Sequence, residues 1–198
     1  TDSSEIKKIS EYYGANVPFI RPKEYAKDTS PDIEWVKHSL DYFKNNGIDY
    51  DIFSILRPTS PFRKPKTILR AFNLFKSTKC DSLRAVEKCL QHPCKMWKIE
   101  DNYMSPFVNL EEKGPLNQPL HSSQYPSLPE VYIQNASLEI AYTETVIKYN
   151  NISGDRVVPF VTVDDEGFDL NIEEDWELAN ILISKGKAAL PIINKKPY

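Results

Sequence analysis

Apolar residues recur along this chain at two alternating spacings, and the alternation itself outlines the fold. After Thr1, Asp2 and Ser3, the residues Ile6, Ile9, Tyr12 and Tyr13 step by three and four and end at Gly14, which predicts a capped helix of about three turns. Val17 to Ile20 is a short apolar run that reads as a strand, followed by a polar loop from Arg21 to Pro31. From Asp32, read as the N-cap, the positions Ile33, Val36, Leu40 and Phe43 predict a second amphipathic helix closed by Gly47.

Tyr50 to Leu56 is a nearly continuous β-favouring run of the kind expected of a strand covered on both faces. A helix over Pro65 to Phe75 and a strand over Asp81 to Val86 follow. Beyond them lie strands at Val131–Gln134 and Leu138–Tyr142, a short helix at Thr143–Tyr149, a strand at Val157–Val163 and an acidic-ended helix at Glu173–Ile183. Alternating helix and strand predicts an α/β domain with a mainly parallel, doubly wound sheet. Between about residues 92 and 130 the pattern gives way to prolines and aromatics, and a hairpin and loop excursion from the core is expected there.

Composition narrows the function. A chain of 198 residues with 40% hydrophobic content can bury one substantial core, so a single domain is expected. Twenty-five basic against 28 acidic residues give a formal charge of -3, the wrong sign for a protein that coats nucleic acid. No stretch approaches a membrane span and the polar start is unlike a signal peptide, so a soluble, cytoplasmic protein is expected. Its three cysteines, Cys80, Cys89 and Cys94, cannot complete a disulfide framework. With His92 they invite a zinc reading against the plainer one of ordinary cysteines.

The leading site candidate is the segment from Arg57 to Arg63, at the carboxyl end of the Tyr50–Leu56 strand, where open α/β sheets bind ligands. Pro58 and Pro61 fix the turn, Thr59 and Ser60 offer hydroxyls, and Arg57 and Arg63 offer forked cations suited to phosphate or carboxylate. A proline-shaped turn leading into the next helix is the other reading.

This segment resembles the Gln-Pro-Thr-Ser-Pro-Leu-Arg motif of the acylneuraminate cytidylyltransferases (CMP-sialic acid synthetases), with Arg57 in place of glutamine. Thr1 and Asp2 are similar to the family's Ser-Thr-Asp, Arg21 to Thr29 to its Arg-Pro-x-x-Leu-Ala-x-Asp-Thr, Leu128 to Asn135 to its Leu-Pro-x-x-Tyr-x-x-Asn, and Asp169 to Trp176 to its Asp-Ile-Asp-Thr-Glu-Glu-Asp-Trp. The matches run in family order across almost the whole chain.

The resemblance implies a three-layer, Rossmann-like nucleotidyltransferase fold. It also implies a reaction in which the anomeric hydroxyl of a sialic-acid-like sugar acid attacks the α-phosphate of CTP and releases pyrophosphate, for surface glycan synthesis. By the same resemblance Asp169 is catalytic and binds Mg2+ together with Asn171, which replaces the family's second aspartate; Asp164 and Asp165 are candidate substitutes. Arg21, Asp28, Thr59 and Ser60 serve the nucleotide, and Arg57, Arg63 and Asn135 serve the sugar acid. Asp32 stands where the family often has serine, and Ala136 where it has glycine. Homodimerisation through the 92–130 excursion is implied too. The family opens with a basic, glycine-containing phosphate loop. No glycine-rich cradle occurs among the six glycines here, so the chain as written is expected to bind CTP poorly, and a non-catalytic binding or dimerisation module is the alternative.

Overall fold

A computed structural model describes residues 1–198 apart from Ala136, so the expectation attached to that position lies outside the described residues. The chain divides into two compact units, one formed by residues 1–85 and 135–198 and the other by residues 86–134.

In the first unit the helices are α1 (Ser4–Tyr12), α2 (Asp32–Asn45), α3 (Pro65–Ser77), α4 (Thr143–Tyr149) and α5 (Glu173–Ser184). The strands β1 (Ile52–Ile55), β2 (Ser82–Lys88), β5 (Tyr132–Tyr142) and β6 (Val157–Val161) form one sheet in the order β1-β5-β2-β6, with residues 86–88 of β2 and 132–134 of β5 counted in the second unit. Ser3 caps α1 by accepting from the Ile6 N–H at 3.3 Å. Alternation along β1 sends its side chains to opposite faces. Ile52 joins Ala71 and Phe75 of α3, Leu83 and Ala85 of β2, and Leu138 and Ile140 of β5, while Phe53 and Ile55 join Val36 of α2 and Val146 of α4. Helices therefore cover the sheet on both sides, and the α/β class expected from the sequence holds.

Strand direction departs from expectation. β1 and β5 pair antiparallel, with Ile52 opposite Tyr142 and Ile55 opposite Glu139. Crossover helices make consecutive strands parallel, but β5 follows the hairpin and loops after β2 and lies between β1 and β2, antiparallel to β1. Hydrophobic periodicity carries no information on direction, so a mainly parallel sheet was the wrong extrapolation at this pair.

Three local readings also change. The two strands expected between Val131 and Tyr142 are one continuous β5. Val17 to Ile20 is not a strand, since Pro18 has no N–H to offer a ladder. Its carbonyls are taken by side chains instead, Val17 O by Lys7 Nζ at 2.7 Å and Pro18 O by the Tyr42 hydroxyl at 3.4 Å. Asp32 is the first residue of α2 rather than its cap, and its carboxylate accepts the Trp35 indole N–H at 2.8 Å.

Asp81 closes the far end of the sheet. Its Oδ2 accepts the backbone N–H groups of Asp155 and Arg156 at 3.0 and 2.8 Å, and the approach is so close that a Cβ at Gly154 (φ +68°) would fall 2.5 Å from the Asp81 Cβ.

The second unit contains the antiparallel hairpin β3 (Trp97–Glu100) and β4 (Tyr103–Pro106). Its short turns include Pro93–Lys95, where buried His92 accepts the Cys94 N–H on Nδ1 at 3.1 Å. Its Nε2 therefore carries the proton and donates to Pro129 O at 2.9 Å. With both ring nitrogens occupied, and no group of three or more His, Cys, Asp or Glu among the described residues suited to a metal, the zinc reading falls. No described helix is long and apolar enough to cross a membrane.

Leu83 is fully buried at the centre of the sheet, whereas Leu69 on the outer side of α3 is 63% exposed. Leu83→Ala should cost about 2–5 kcal/mol in urea unfolding, and Leu69→Ala less than about 0.5 kcal/mol. Equal effects would contradict this placement of the core.

Candidate active site

The turn after β1 is held from within. Arg63 donates through Nη1 to Ser137 O on β5 and through Nη2 to Arg57 O at 3.0 Å, which ties the loop both to the sheet and to its own start. Burial lowers the guanidinium from its ordinary value; carbonyl acceptors are what make such a half-buried cation tolerable. Phe62 is fully buried between Phe168 (ring centroids 5.2 Å apart) and Ala179 and Ala188 beyond it.

The backbone then brings the Asp169 segment to the loop. Leu170 N–H donates to Thr59 O at 2.9 Å, so Thr59, Ser60 and Asp169 become neighbours although more than a hundred residues of sequence separate them. Two polar atoms here are buried with no hydrogen-bond partner, Ser60 Oγ and Asp169 Oδ1. Ser137 Oγ on β5 and Asp165 Oδ2 share that state. Buried polar atoms are nearly always satisfied, and an unsatisfied one costs about 1–3 kcal/mol. Several along connected segments mark a surface shaped for something other than the fold's own stability.

The 162–171 segment is anchored at two points. Glu166, 5% exposed, accepts the Thr67 hydroxyl at 2.7 Å, an Arg70 Nη2 at 2.5 Å and the Val163 N–H at 3.1 Å. Burial alone would push its carboxyl up, but these three donors overcome it and hold the group below the usual glutamate range. Arg70 in turn lies 4.6 Å over the Phe160 ring. At the other end Asp175, in the first turn of α5, accepts the backbone N–H groups of Asn171 and Ile172 at 2.7 and 3.0 Å. Asn171 itself is exposed.

Asn135 donates to Thr162 Oγ1 at 2.9 Å and accepts from the Ser137 N–H at 3.2 Å, linking β5 to the chain just beyond β6. Hydrogen bonds thus link Arg57, Ser60, Arg63 and, through Ser137, Asn135, while the Leu170 to Thr59 bond brings Asp169 alongside the same loop. Arg21 and Asp28 are not part of it among the described residues. Arg21 bonds Thr1 O through its N–H at 2.8 Å and Asp2 through Nη2 at 3.3 Å, and its Nε is buried without a partner. Asp28 is exposed in a turn.

Sequence reading passed over the charges that surround Arg57. Its Nη2 bonds Asp32 and lies 3.9 Å from Glu139, and Glu139 meets Arg84 at 2.8 Å. The signal was a lone carboxylate inside the apolar run Leu138 to Tyr142. Burial raises the Glu139 carboxyl, opposed by Arg84 and then Arg57, with Asp32 adding to the rise. The larger described cavities lie elsewhere: about 520 Å³ among Leu40, Phe43, Tyr50 and Ile147, and about 490 Å³ among Tyr25, Glu34, His38 and Tyr42.

No protein-family model matches the chain. Over 195 residues, 96% of its length, it is 30% identical to the CMP-N,N'-diacetyllegionaminic acid synthase of Legionella pneumophila, of which it covers 78%. It is 28% identical over 183 residues to the N-acylneuraminate cytidylyltransferase of Escherichia coli, covering 90% of itself and 40% of that protein. A third relative, the post-translational flagellin modification protein B of Campylobacter coli, is 25% identical over 189 residues and covered to 75%.

Because the native Glu166 carboxyl is depressed, its contribution to stability is present above the ordinary value of 4.5 and disappears as pH falls through the lower folded value. Glu166→Gln should lower stability at neutral pH by about 1–3 kcal/mol in urea unfolding. It should also flatten the acid-side loss of stability below about pH 4.5. An acid limb identical to that of the parent would show that the clamp is not formed.

Proposed function

We propose, for a chain that belongs to the acylneuraminate cytidylyltransferase (CMP-sialic acid synthetase) family, that it transfers CMP from CTP to a sialic-acid-like sugar acid with release of pyrophosphate, for surface glycan synthesis. In this nucleotidyltransferase reaction the anomeric oxygen of the acid forms a bond to the α-phosphorus, and the bond from that phosphorus to the bridging oxygen of pyrophosphate breaks. The observation that carries the reading is the Leu170 to Thr59 bond, which sets the Asp169 carboxylate beside the Thr59 and Ser60 loop with Oδ1 buried and uncommitted.

That uncommitted oxygen suits Mg2+, which commonly takes one or two protein carboxylates and fills its remaining positions with phosphate oxygens and water. Asp169 would hold it, with the Asn171 side chain as a neutral second oxygen. When bound, the ion supplies charge neutralisation on the triphosphate. The chain's own part is positioning. Thr59 and Ser60 bind the nucleotide, with Arg21 and Asp28 contributing from the loop before α2. Arg57 and Asn135 face the acceptor, and Arg63 keeps the loop in register with β5. Glu166, fixed to α3, and the α5 cap formed by Asp175 keep Asp169 from drifting, which matters because phosphoryl transfer depends chiefly on alignment.

Homodimerisation through residues 92–130 belongs to the same proposal. It is supported by one face of the hairpin, where cross-strand partners Ile99 and Met104, 78% and 60% exposed, lie beside the Trp97 and Pro106 pair.

Incubated with Mg2+, a panel of nine-carbon sugar acids and CTP at a concentration high enough to offset the weak binding expected without a glycine-rich phosphate loop, the protein should release pyrophosphate only when an acid is present. Asp169→Ala should lower that rate by about a hundredfold or more without changing the circular dichroism melt. Release with none of the acids would reject the reading. In sedimentation, Ile99→Asp should shift the protein from dimer to monomer, and an unchanged sedimentation coefficient would reject the hairpin as the interface.

A further inference from the structure

Arg57 is held by one end only. Its Nη2 bonds Asp32, the opening residue of α2, and sits 3.9 Å from Glu139 Oε1 on β5. Asp32 is itself fixed by the Trp35 indole at 2.8 Å. Glu139 is fixed by Arg84 at 2.8 Å, and Arg84 by the Ser153 hydroxyl at 2.7 Å. These contacts run from the helix through the loop and across neighbouring strands. They alternate in sign, so the two arginines and two carboxylates cancel. Side-chain exposure is 12% at Glu139, 17% at Arg84, 26% at Asp32 and 37% at Arg57, so the guanidinium is the ladder's most exposed member. Among the described residues, Arg57 Nε and Nη1 make no hydrogen bond, and neither is a buried orphan.

We propose that Asp32 and Glu139 are positioning residues that hold Nη2 of Arg57 and so present its free N–H donors to the carboxylate of the acceptor sugar acid. The inference rests on the assignment of Arg57 to the acceptor side under the proposed function. A guanidinium fork recognises a carboxylate by paired, directional bonds, and this recognition is strongest when the fork cannot rotate. An unrestrained arginine on a loop would swing. One whose inner nitrogen is gripped by a helix terminus and a central strand is pre-aligned. Because the ladder is internally neutral, selection falls on geometry rather than on long-range attraction, and acceptor binding should depend only weakly on ionic strength.

The test uses the intact protein in the pyrophosphate assay with N-acetylneuraminate and N,N'-diacetyllegionaminate, each alongside its carboxylate methyl ester. The unaltered protein should prefer acid to ester. Asp32→Asn and Glu139→Gln, which keep shape and remove charge, should each raise the acceptor KM by about tenfold without a matching rise in the CTP KM, and should erode the acid-over-ester preference. Arg57→Ala should abolish that preference, and Asp32→Asn added to it should change the acceptor KM no further. The inference is overturned if the esters serve as well as the acids. It is also overturned if the carboxamide variants shift both KM values equally, leave the acceptor KM unmoved, or add to Arg57→Ala. Should Asp32→Asn fail to fold, Glu139→Gln and the ester comparison carry the same decision. Absence of pyrophosphate from the unaltered protein with every acid would instead sink the proposed function itself.

Discussion

Everything around the candidate site depends on how the Arg63 guanidinium is accommodated. A cation taken half out of water needs acceptors at fixed positions, and the two available are the Ser137 carbonyl of β5 and the Arg57 carbonyl of its own loop. Satisfying both bends the loop into a clasp against the sheet. Phe62 is then driven into the pocket made by Phe168, Ala179 and Ala188, and Thr59 O is turned toward the Leu170 N–H. The position of Asp169 is a consequence of a cation finding acceptors two segments away.

From that clasp the site acquires two kinds of polar group, which behave oppositely. Glu166, Asp175 and Arg63 are fully engaged and serve rigidity. Ser60 Oγ, Ser137 Oγ, Asp165 Oδ2 and Asp169 Oδ1 are buried and unengaged. A fold selected for stability alone would pair or replace them, because an orphaned buried atom is a net cost. Unsatisfied polar atoms held in a rigid surround are a mark of a working surface.

The charge ladder from Asp32 to Arg84 joins these regions without adding net charge. Ion pairs of this kind contribute little to stability when exposed and can be costly when buried. Their benefit here is directional. The first residue of α2, the loop after β1 and the middle of the sheet are locked to one another, so a shift of any one is felt at Arg57.

Much was legible in the sequence by itself. The spacing of Ile33, Val36 and Leu40, the apolar run of β1 and the acidic start of α5 are local properties, and they determined element type and order. The ordered motifs pointed to the family and to the segments that meet at Thr59 and Asp169. Periodicity could not supply the direction of β5, because antiparallel and parallel strands carry the same alternation and only the path through residues 86–134 distinguishes them. Nor could it supply the partners of charged residues. Arg57 finds Asp32 across 25 positions and Arg70 finds Glu166 across 96, and such pairings exist only once packing has brought distant segments together. Tertiary structure alone decided which charges brace the fold and which atoms were left open, since a side chain's partner is fixed by proximity in space and not by its place in the chain.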